Sequence, residues 1–348
     1  NKAKIMIDLR SDTVTMPSNE MKSFLINAPL GDDVYGEDPS INELETKISK
    51  LFNKESALFV PSGTMANLIS VLAHCNRGDE VILGDKSHIF LYEAGGISAF
   101  GGIHSYQLKN HDNGTINITD IQNSIRRDDP HYPISKLLCL ENTHNACYGS
   151  PVDAKYFTEV KHVINKHNIK LHIDGARIFN ASIALNTPLD ELTKEADSIS
   201  CCLSKGLSCP VGSLIVGSKD FIHKAHRLRK SLGGGMRQAG LLAAAGIYAL
   251  DNIFPQLNID HENAKILAEG LSTIKELSMD ASKVKTNLIF FYLENSNLSD
   301  EQFINKLLEY NIKLDAKGNR KFRIATHTNF NKNDIDFVVE TIQSIVKQ

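Results

Sequence analysis

Short apolar runs recur through the first two-thirds of the chain, and most are followed by a small, polar or glycine-bearing turn. They are Ala57–Val60, Glu80–Leu83, Ile103–Tyr106, Lys136–Leu140, Lys170–Ile173, Ser198–Cys202 and Ser213–Val216. Runs of this length, apolar on both faces, predict buried strands of a largely parallel sheet. Between several of them the apolar spacing turns helical, as over Ala154–His167, which is the βαβ rhythm of an α/β fold. Ser40 predicts a helix cap with a helix through Phe52, and Pro61–Asn67 opens a helix through Leu72. Ile5–Thr15 reads as an extended arm ahead of Pro17. Phe221–Leu250 reads as helical apart from a break at Gly233-Gly234-Gly235. The rhythm changes between Leu250 and Asn258. Beyond it lie helices over Glu262–Leu271, Asp300–Tyr310 and Asp334–Val346, with strands over Leu288–Leu293 and Phe322–Thr326, a small α+β unit. The expected organisation is an arm over residues 1–18, a large domain over 19–252 and a C-terminal α+β domain over 253–348.

Composition narrows the class. The chain has 348 residues, 42% hydrophobic and 23% charged, with a formal net charge of −3. These are ordinary values for a soluble globular protein, and no basic excess points to nucleic acid or an anionic membrane surface. The longest apolar run, Leu241–Ile247, is too short to span a bilayer. The opening residues carry no charged-then-apolar targeting pattern. The six cysteines form no CxxC pair and lie mostly in apolar runs, so they read as reduced core residues of a cytoplasmic protein.

Candidate chemistry gathers where the apolar runs end. Ser198–Cys202 leads into Ser204-Lys205-Gly206. A lysine there is either an exposed loop residue or a desolvated amine able to form an imine with a carbonyl compound. Lys170–Ile173 ends on Asp174, at the edge where open α/β sheets place ligands. Its carboxylate requires a cation, which is either Arg177 or a protonated nitrogen of a bound heterocycle. His172 and Asp174 share a strand face, but no third ligand stands at recognisable spacing, so no metal is expected. Ser62-Gly63-Thr64 opens a helix in a way that suits a phosphate. His88, near another helix start, presents a flat ring, and His144 stands on the same edge with a proton to exchange near neutral pH. Arg229, Lys230 and Arg237 flank the triple glycine, a break that lets backbone approach something closely. Arg323 stands among apolar neighbours as a grip for a carboxylate. Each feature has a plain alternative as a cap, loop or surface charge. Their joint occurrence describes a site for pyridoxal 5′-phosphate (PLP), which requires an acid at its pyridine nitrogen and a Schiff-base lysine.

At this point the sequence resembles the L-threonine aldolases. The resemblance rests on Arg10–Thr15, Asp33–Pro39, Ser62–Asn67, Glu141–Asn145, His172–Arg177, Leu203–Leu207 and Gly233–Gln238, with a looser match through Arg323 and Thr326-His327. It implies a fold type I, PLP-dependent transferase-like architecture, with a mostly parallel seven-stranded sheet flanked by helices and a smaller C-terminal domain. It further implies a homotetramer built as a dimer of dimers, with active sites shared between subunits. By matching positions, Lys205 would carry the cofactor as a Schiff base, Asp174 would meet the pyridine nitrogen, and His88 would stack on the ring. Arg177 would contact the phenolic oxygen. Gly63, Thr64 and Ser204 would hold the phosphate, with Arg237 and Lys230 reaching in from the neighbouring subunit. Ser11, Arg177 and Arg323 would bind the substrate carboxylate, and His144 would sit near the β-hydroxyl.

The implied reaction is retro-aldol cleavage of L-threonine, L-allo-threonine and related β-hydroxy-α-amino acids to glycine and an aldehyde. That chemistry belongs to threonine catabolism and glycine synthesis. The residues that follow His144, Cys147-Tyr148-Gly149, match no expectation, so the aldehyde side of the substrate stays open. Another fold type I reaction, a β-elimination or a transamination, would share Lys205 and Asp174. A catalytically silent relative would lack one of them, and neither is lost.

Overall fold

A computed structural model describes residues 6–347. The strands in chain order are β1 (Ile7–Asp8), β2 (Ser56–Val60), β3 (Glu80–Gly84), β4 (His104–Leu108), β5 (Ser135–Glu141), β6 (Lys170–Gly175) and β7 (Ser198–Cys202). Then follow β8 (Ser213–Gly217), β9 (Leu277–Ser278), β10 (Leu288–Leu293), β11 (Ile312–Lys313), β12 (Asp315–Gly318) and β13 (Lys321–Ala325). The expected seven-stranded sheet is present, in the order β2-β8-β7-β6-β5-β3-β4. The pairs β3–β4, β3–β5, β5–β6 and β6–β7 are parallel, while β8 runs antiparallel to both β2 and β7.

Alternation along the strands decides which helices cover which face. Leu58, Val60 and Ile215 point to one side, where Ala66 and Ile69 of helix Gly63–His74 and Phe221 and Ile222 of helix Lys219–Ser231 pack on them. Ala57, Phe59, Leu214 and Val216 point to the other, against Ile41, Leu44 and Ile48 of helix Pro39–Leu51 and Ala243 of helix Gly240–Asn252. The helix Gly63–His74 runs across β6, β7 and β8, so its first turn lies at the carboxyl edge of the strands and His74 at the amino edge.

The C-terminal strands form a second, antiparallel sheet, β12-β13-β10-β9, with its own core around Phe291, Phe303 and Phe322. The N-terminal segment packs on its core, in a separate two-stranded sheet. β1 pairs in parallel with β11, the Leu9 N–H donates to the Lys313 carbonyl, and the Leu9 side chain is fully buried in that core.

The structure revises several sequence expectations. The helix expected to be capped by Ser40 starts two residues earlier than that cap implies, at Pro39, because Pro at the first position needs no N–H partner. Asp38 is the cap, accepting from the Ser40 and Ile41 N–H groups, and the Ser40 hydroxyl donates to the Pro29 carbonyl. The helix expected from Glu262 begins at Leu257, directly after a short 3-10 turn over Phe254–Gln256. The extended arm is a strand and a 3-10 turn (Asp12–Val14), while Ile5 lies outside the described residues. The two-residue strands β1, β9 and β11 carry no periodic signal of their own. Among the described residues no helix is long and apolar enough to cross a membrane.

Candidate active site

The parallel strands deliver the chemistry-bearing residues to one edge. His88 follows the end of β3, Glu141 ends β5 and leads to His144 and Asn145, Asp174 lies near the end of β6, and Ser204 and Lys205 follow β7. Gly63 and Thr64 follow β2, whose direction matches the parallel strands. Glu141 stands opposite Asp174 in register, and the Asn142 N–H donates to the Asp174 carbonyl.

Asp174 is buried and receives only N–H donors: Asn67 Nδ2 at 2.9 Å on Oδ2 and the Ala176 backbone N–H at 3.1 Å on Oδ1. The same Asn67 amide donates to Glu93 Oε1 at 2.8 Å, and that oxygen meets His88 Nδ1, also at 2.8 Å. Burial alone would lower the His88 pKa. The bond to Glu93 and the charges of Asp174, Glu93 and Glu141 outweigh it and raise the value. Burial pushes Glu93 upward as well. Glu141 acts as a clip between two loops: its Oε2 accepts from the His88 N–H and its Oε1 from the Asn145 N–H, each at 2.8 Å. His88, Glu93 and Asp174 offer ligand atoms within 4.8 Å of one another, the spacing of a metal trio. The Asn67 amide aims two N–H donors at this cluster, which is the arrangement of a hydrogen-bonded carboxylate pair.

Of the two cations open to Asp174, Arg177 is not the one taken: no Asp174–Arg177 ion pair forms. Arg177 turns instead to Asp12 of the N-terminal segment, Nε to Oδ2 at 2.8 Å and Nη2 to Oδ1 at 2.7 Å, because the fork geometry matches a carboxylate at two points. Among the described residues this leaves Asp174 without a hydrogen-bonded or ion-paired cation. The remaining Arg177 nitrogen, Nη1, donates to Asn145 Oδ1 at 3.2 Å, and Arg323 Nη1 donates to that same oxygen at 2.8 Å. Two buried guanidinium groups thus converge on one neutral amide oxygen. Burial, followed by the Arg177 charge, lowers the Arg323 pKa, and its Nε has no partner among the described residues. The Arg323 Nη2 donates to the Arg10 carbonyl at 2.9 Å.

Lys205 is partly buried. Its carbonyl accepts from Thr15 Oγ1 at 3.0 Å, which ties the lysine turn to the N-terminal segment. Ser11 lies beside Asp12 and caps the 3-10 turn. Gly63 lets the helix start press against the sheet: a Cβ there would stand 2.6 Å from Cys202 Sγ. Thr64 is exposed at the helix N-terminus and Ser204 is partly buried. His144 is almost completely buried, and neither ring nitrogen has a hydrogen-bond partner among the described residues. The residues flanking the triple glycine are dispersed within this one chain. Arg229 is buried against Asp33 and the Phe59 carbonyl, Arg237 pairs with Asp32, and Lys230 is exposed. What the glycine break approaches is Met65, whose Sδ would clash with any Cβ at Gly234.

Asp12, Asn67, Glu141 and Asn145 enter the sequence reading only as letters inside motifs, and Glu93 is not singled out. A usable signal existed for Asn67, a polar residue between Ala66 and Leu68 on an otherwise apolar helix stretch. Asp12, Glu93 and Asn145 carry no such signal, since their partners are distant in sequence.

Comparison with known proteins gives the family and the fold. Residues 8–295 match the family model of the beta-eliminating lyases. The chain is 48% identical over 341 residues to low-specificity L-threonine aldolase 1 of Arabidopsis thaliana, covering 97% of this chain and 95% of that protein. It is 47% identical over 292 residues to the low specificity L-threonine aldolase of Escherichia coli K12, covering 84% and 86% respectively. The solved structure of threonine aldolase from Leishmania major superposes with a TM-score of 0.81 at 20% identity, covering 98% of this chain and 99% of that one, which shows the shared fold. The chain belongs to the low-specificity L-threonine aldolase family, within the beta-eliminating lyases.

Proposed function

We propose that the chain is a PLP-dependent lyase that cleaves L-threonine, L-allo-threonine and other β-hydroxy-α-amino acids to glycine and an aldehyde, which is acetaldehyde from threonine. The observation that carries this reading is Asp174, a buried carboxylate held by N–H donors and without a protein cation, at the strand edge shared with His88 and Lys205. A protonated pyridine nitrogen is the cation such a frame accepts. The donor set fits the rest of the cofactor too. The half-buried His88 ring offers a stacking face, Lys205 an amine, and the start of helix Gly63–His74 offers N–H groups for a phosphate, with Thr64 and Ser204 beside it.

When bound, the cofactor supplies the sink for the electron pair released as the Cα–Cβ bond breaks. The protein residues supply the rest. Lys205 Nζ is the amine that would hold the cofactor covalently. Arg177 and Arg323 bind the substrate carboxylate, taking it in place of the Asn145 oxygen, with Ser11 adding its hydroxyl. His144, directly or through one water, takes the β-hydroxyl proton as the aldehyde departs, and Cα is reprotonated to give glycine. Its unpartnered ring nitrogens support that role.

The finer parts of this reading are proposals of the same kind. The protein acts in the cytoplasm, in threonine breakdown and glycine formation, as a dimer-of-dimers homotetramer. Arg237 and Lys230, exposed in the single chain, complete the phosphate site of a neighbouring subunit. Residues 1–18, 19–252 and 253–348 form the arm, the cofactor domain and the small domain. The deciding test is a coupled assay for acetaldehyde and glycine from threonine and from allo-threonine, with and without added PLP. Transamination of alanine with a keto acid faster than cleavage of allo-threonine sinks the aldolase reading in favour of another reaction of the same fold.

A further inference from the structure

Behind Asp174 a line of polar side chains runs the length of the sheet, through a layer that is otherwise apolar. His74 Nε2 lies 2.8 Å from Ser198 Oγ, Ser198 Oγ 2.9 Å from His172 Nδ1, and His172 Nε2 3.1 Å from Asn67 Oδ1. Ser200 Oγ donates to the same Asn67 oxygen at 2.7 Å. Pairing of β6 with β7 places His172 opposite Ser198 and Asp174 opposite Ser200, so these four share one face, and Asn67 and His74 cover it from the helix above. At its far end the line reaches His74, which lines a cavity of about 420 Å³ at the amino edge.

The direction of every bond in this line follows from its carboxylate end. Asn67 uses its full capacity of two donors and two acceptor sites. Reversing the amide would set its oxygen against the carboxyl groups of Asp174 and Glu93, so its NH2 faces them and its oxygen faces His172. His172 must therefore donate from Nε2. Burial lowers the His172 pKa to about 4 and that of His74 to about 3, so both rings are neutral at pH 7 with one proton each. With Nε2 protonated, Nδ1 of His172 is bare and accepts from the Ser198 hydroxyl. The Ser198 oxygen then accepts from Nε2–H of His74. All the dipoles point the same way, toward Asp174, and bonds aligned in series strengthen one another.

We infer that Asn67, His172, Ser198 and His74 form a directed hydrogen-bond array whose function is to hold Asp174 as a pure acceptor for the protonated ring nitrogen of the cofactor. They are positioning residues, acting through Asp174. A layer of leucine and valine would fill this space with no polar groups to satisfy, and replacing both partners of a buried hydrogen bond by apolar groups is close to neutral for stability. The array is thus not needed to hold the fold, and its orientation serves Asp174.

The inference rests on the PLP reading, and the test separates the two. The protein is purified as the holoenzyme, and the apparent Kd for PLP, the visible spectrum of the bound cofactor and Tm are measured for wild type, Asn67→Ala, His172→Leu, His172→Gln and Ser198→Ala. Glutamine keeps an N–H near the place of Nε2, and leucine does not. The expected result is a Kd about 10-fold higher in Asn67→Ala, the worth of one hydrogen bond to a charged group. His172→Leu should shift Kd and the visible band in the same direction, and His172→Gln should restore both. If Asn67→Ala fails to fold, the His172 pair and Ser198→Ala decide the matter. Variants that lower Tm but keep the wild-type Kd and spectrum overturn the inference alone. A wild-type protein without any visible band overturns the cofactor reading and the inference together.

Discussion

Asp12 and Arg177 form a two-point ion pair in the interior, although 165 positions separate them in sequence. Burial would raise the Asp12 pKa, but the Arg177 charge and hydrogen bonds hold it well below the usual carboxylate range, and Asn287 adds a further bond at 3.1 Å. Removing one partner of such a pair leaves a charge buried without compensation, at a cost of about 3–5 kcal/mol. Asp12→Asn should therefore lower Tm and also raise KM for the amino acid, because Arg177 loses its orientation. An unchanged KM beside a lowered Tm would confine Asp12 to a role in stability.

Lys205→Ala should abolish the visible absorbance of bound cofactor. A borohydride-trappable adduct surviving in that variant would move the covalent attachment to a different lysine.

His144→Phe should reduce cleavage of β-hydroxy amino acids by roughly 10²-fold or more while the affinity for PLP changes little, as expected for loss of a general base. Steady-state kinetics with allo-threonine checks this, and turnover equal to wild type removes His144 from the proton transfer.

Stability should fall between about pH 4 and pH 7 on account of Asp260 and Glu45. Burial raises the pKa of each to about 7 in the folded chain, against roughly 4 when unfolded. Between those values the folded state keeps a proton that the unfolded state has lost. Their contribution is then complete below about pH 4 and is withdrawn as pH rises toward 7. Asp260→Asn should unfold at a higher temperature than wild type at pH 8 and show no gain at pH 4. Equal shifts at both pH values would show that the carboxyl is not the titrating group.

Most strands of the main sheet are readable from the apolar runs because they are buried on both faces, the edge strand His104–Leu108 being the partly exposed exception. Ser198–Cys202 and Leu288–Leu293 fall where the pattern places them. The electrostatic wiring was not readable in the same way. Asp174 stands out as a charge at the end of an apolar run, yet its donor Asn67 lies 107 positions away, and nothing local marks the pair. Arg177 illustrates the converse error. Nearness in sequence suggested Asp174 as its partner, but a residue at a strand end points where the strand aims it, and Asp12 occupied that direction. The cap lies at Asp38 for a local reason, since Pro39 takes the first helical position and moves the helix start two residues ahead of that expected from Ser40.

The pairing of β1 with β11 bears on how the protein is made. The segment carrying Ser11 and Asp12 leaves the ribosome about 300 residues ahead of its strand partner, Ile312–Lys313. At roughly 5–20 residues per second the leading segment waits some 15–60 s for its place. Lys205, Asp174 and the phosphate-binding turn can take up their sheet positions during that interval. The Asp12, Arg177 and Arg323 cluster, proposed above for the substrate carboxylate, closes only after Arg323 has been made. The cofactor half of the site is therefore born before the substrate half, and a ribosome-bound chain stalled short of residue 312 should acquire the first without the second.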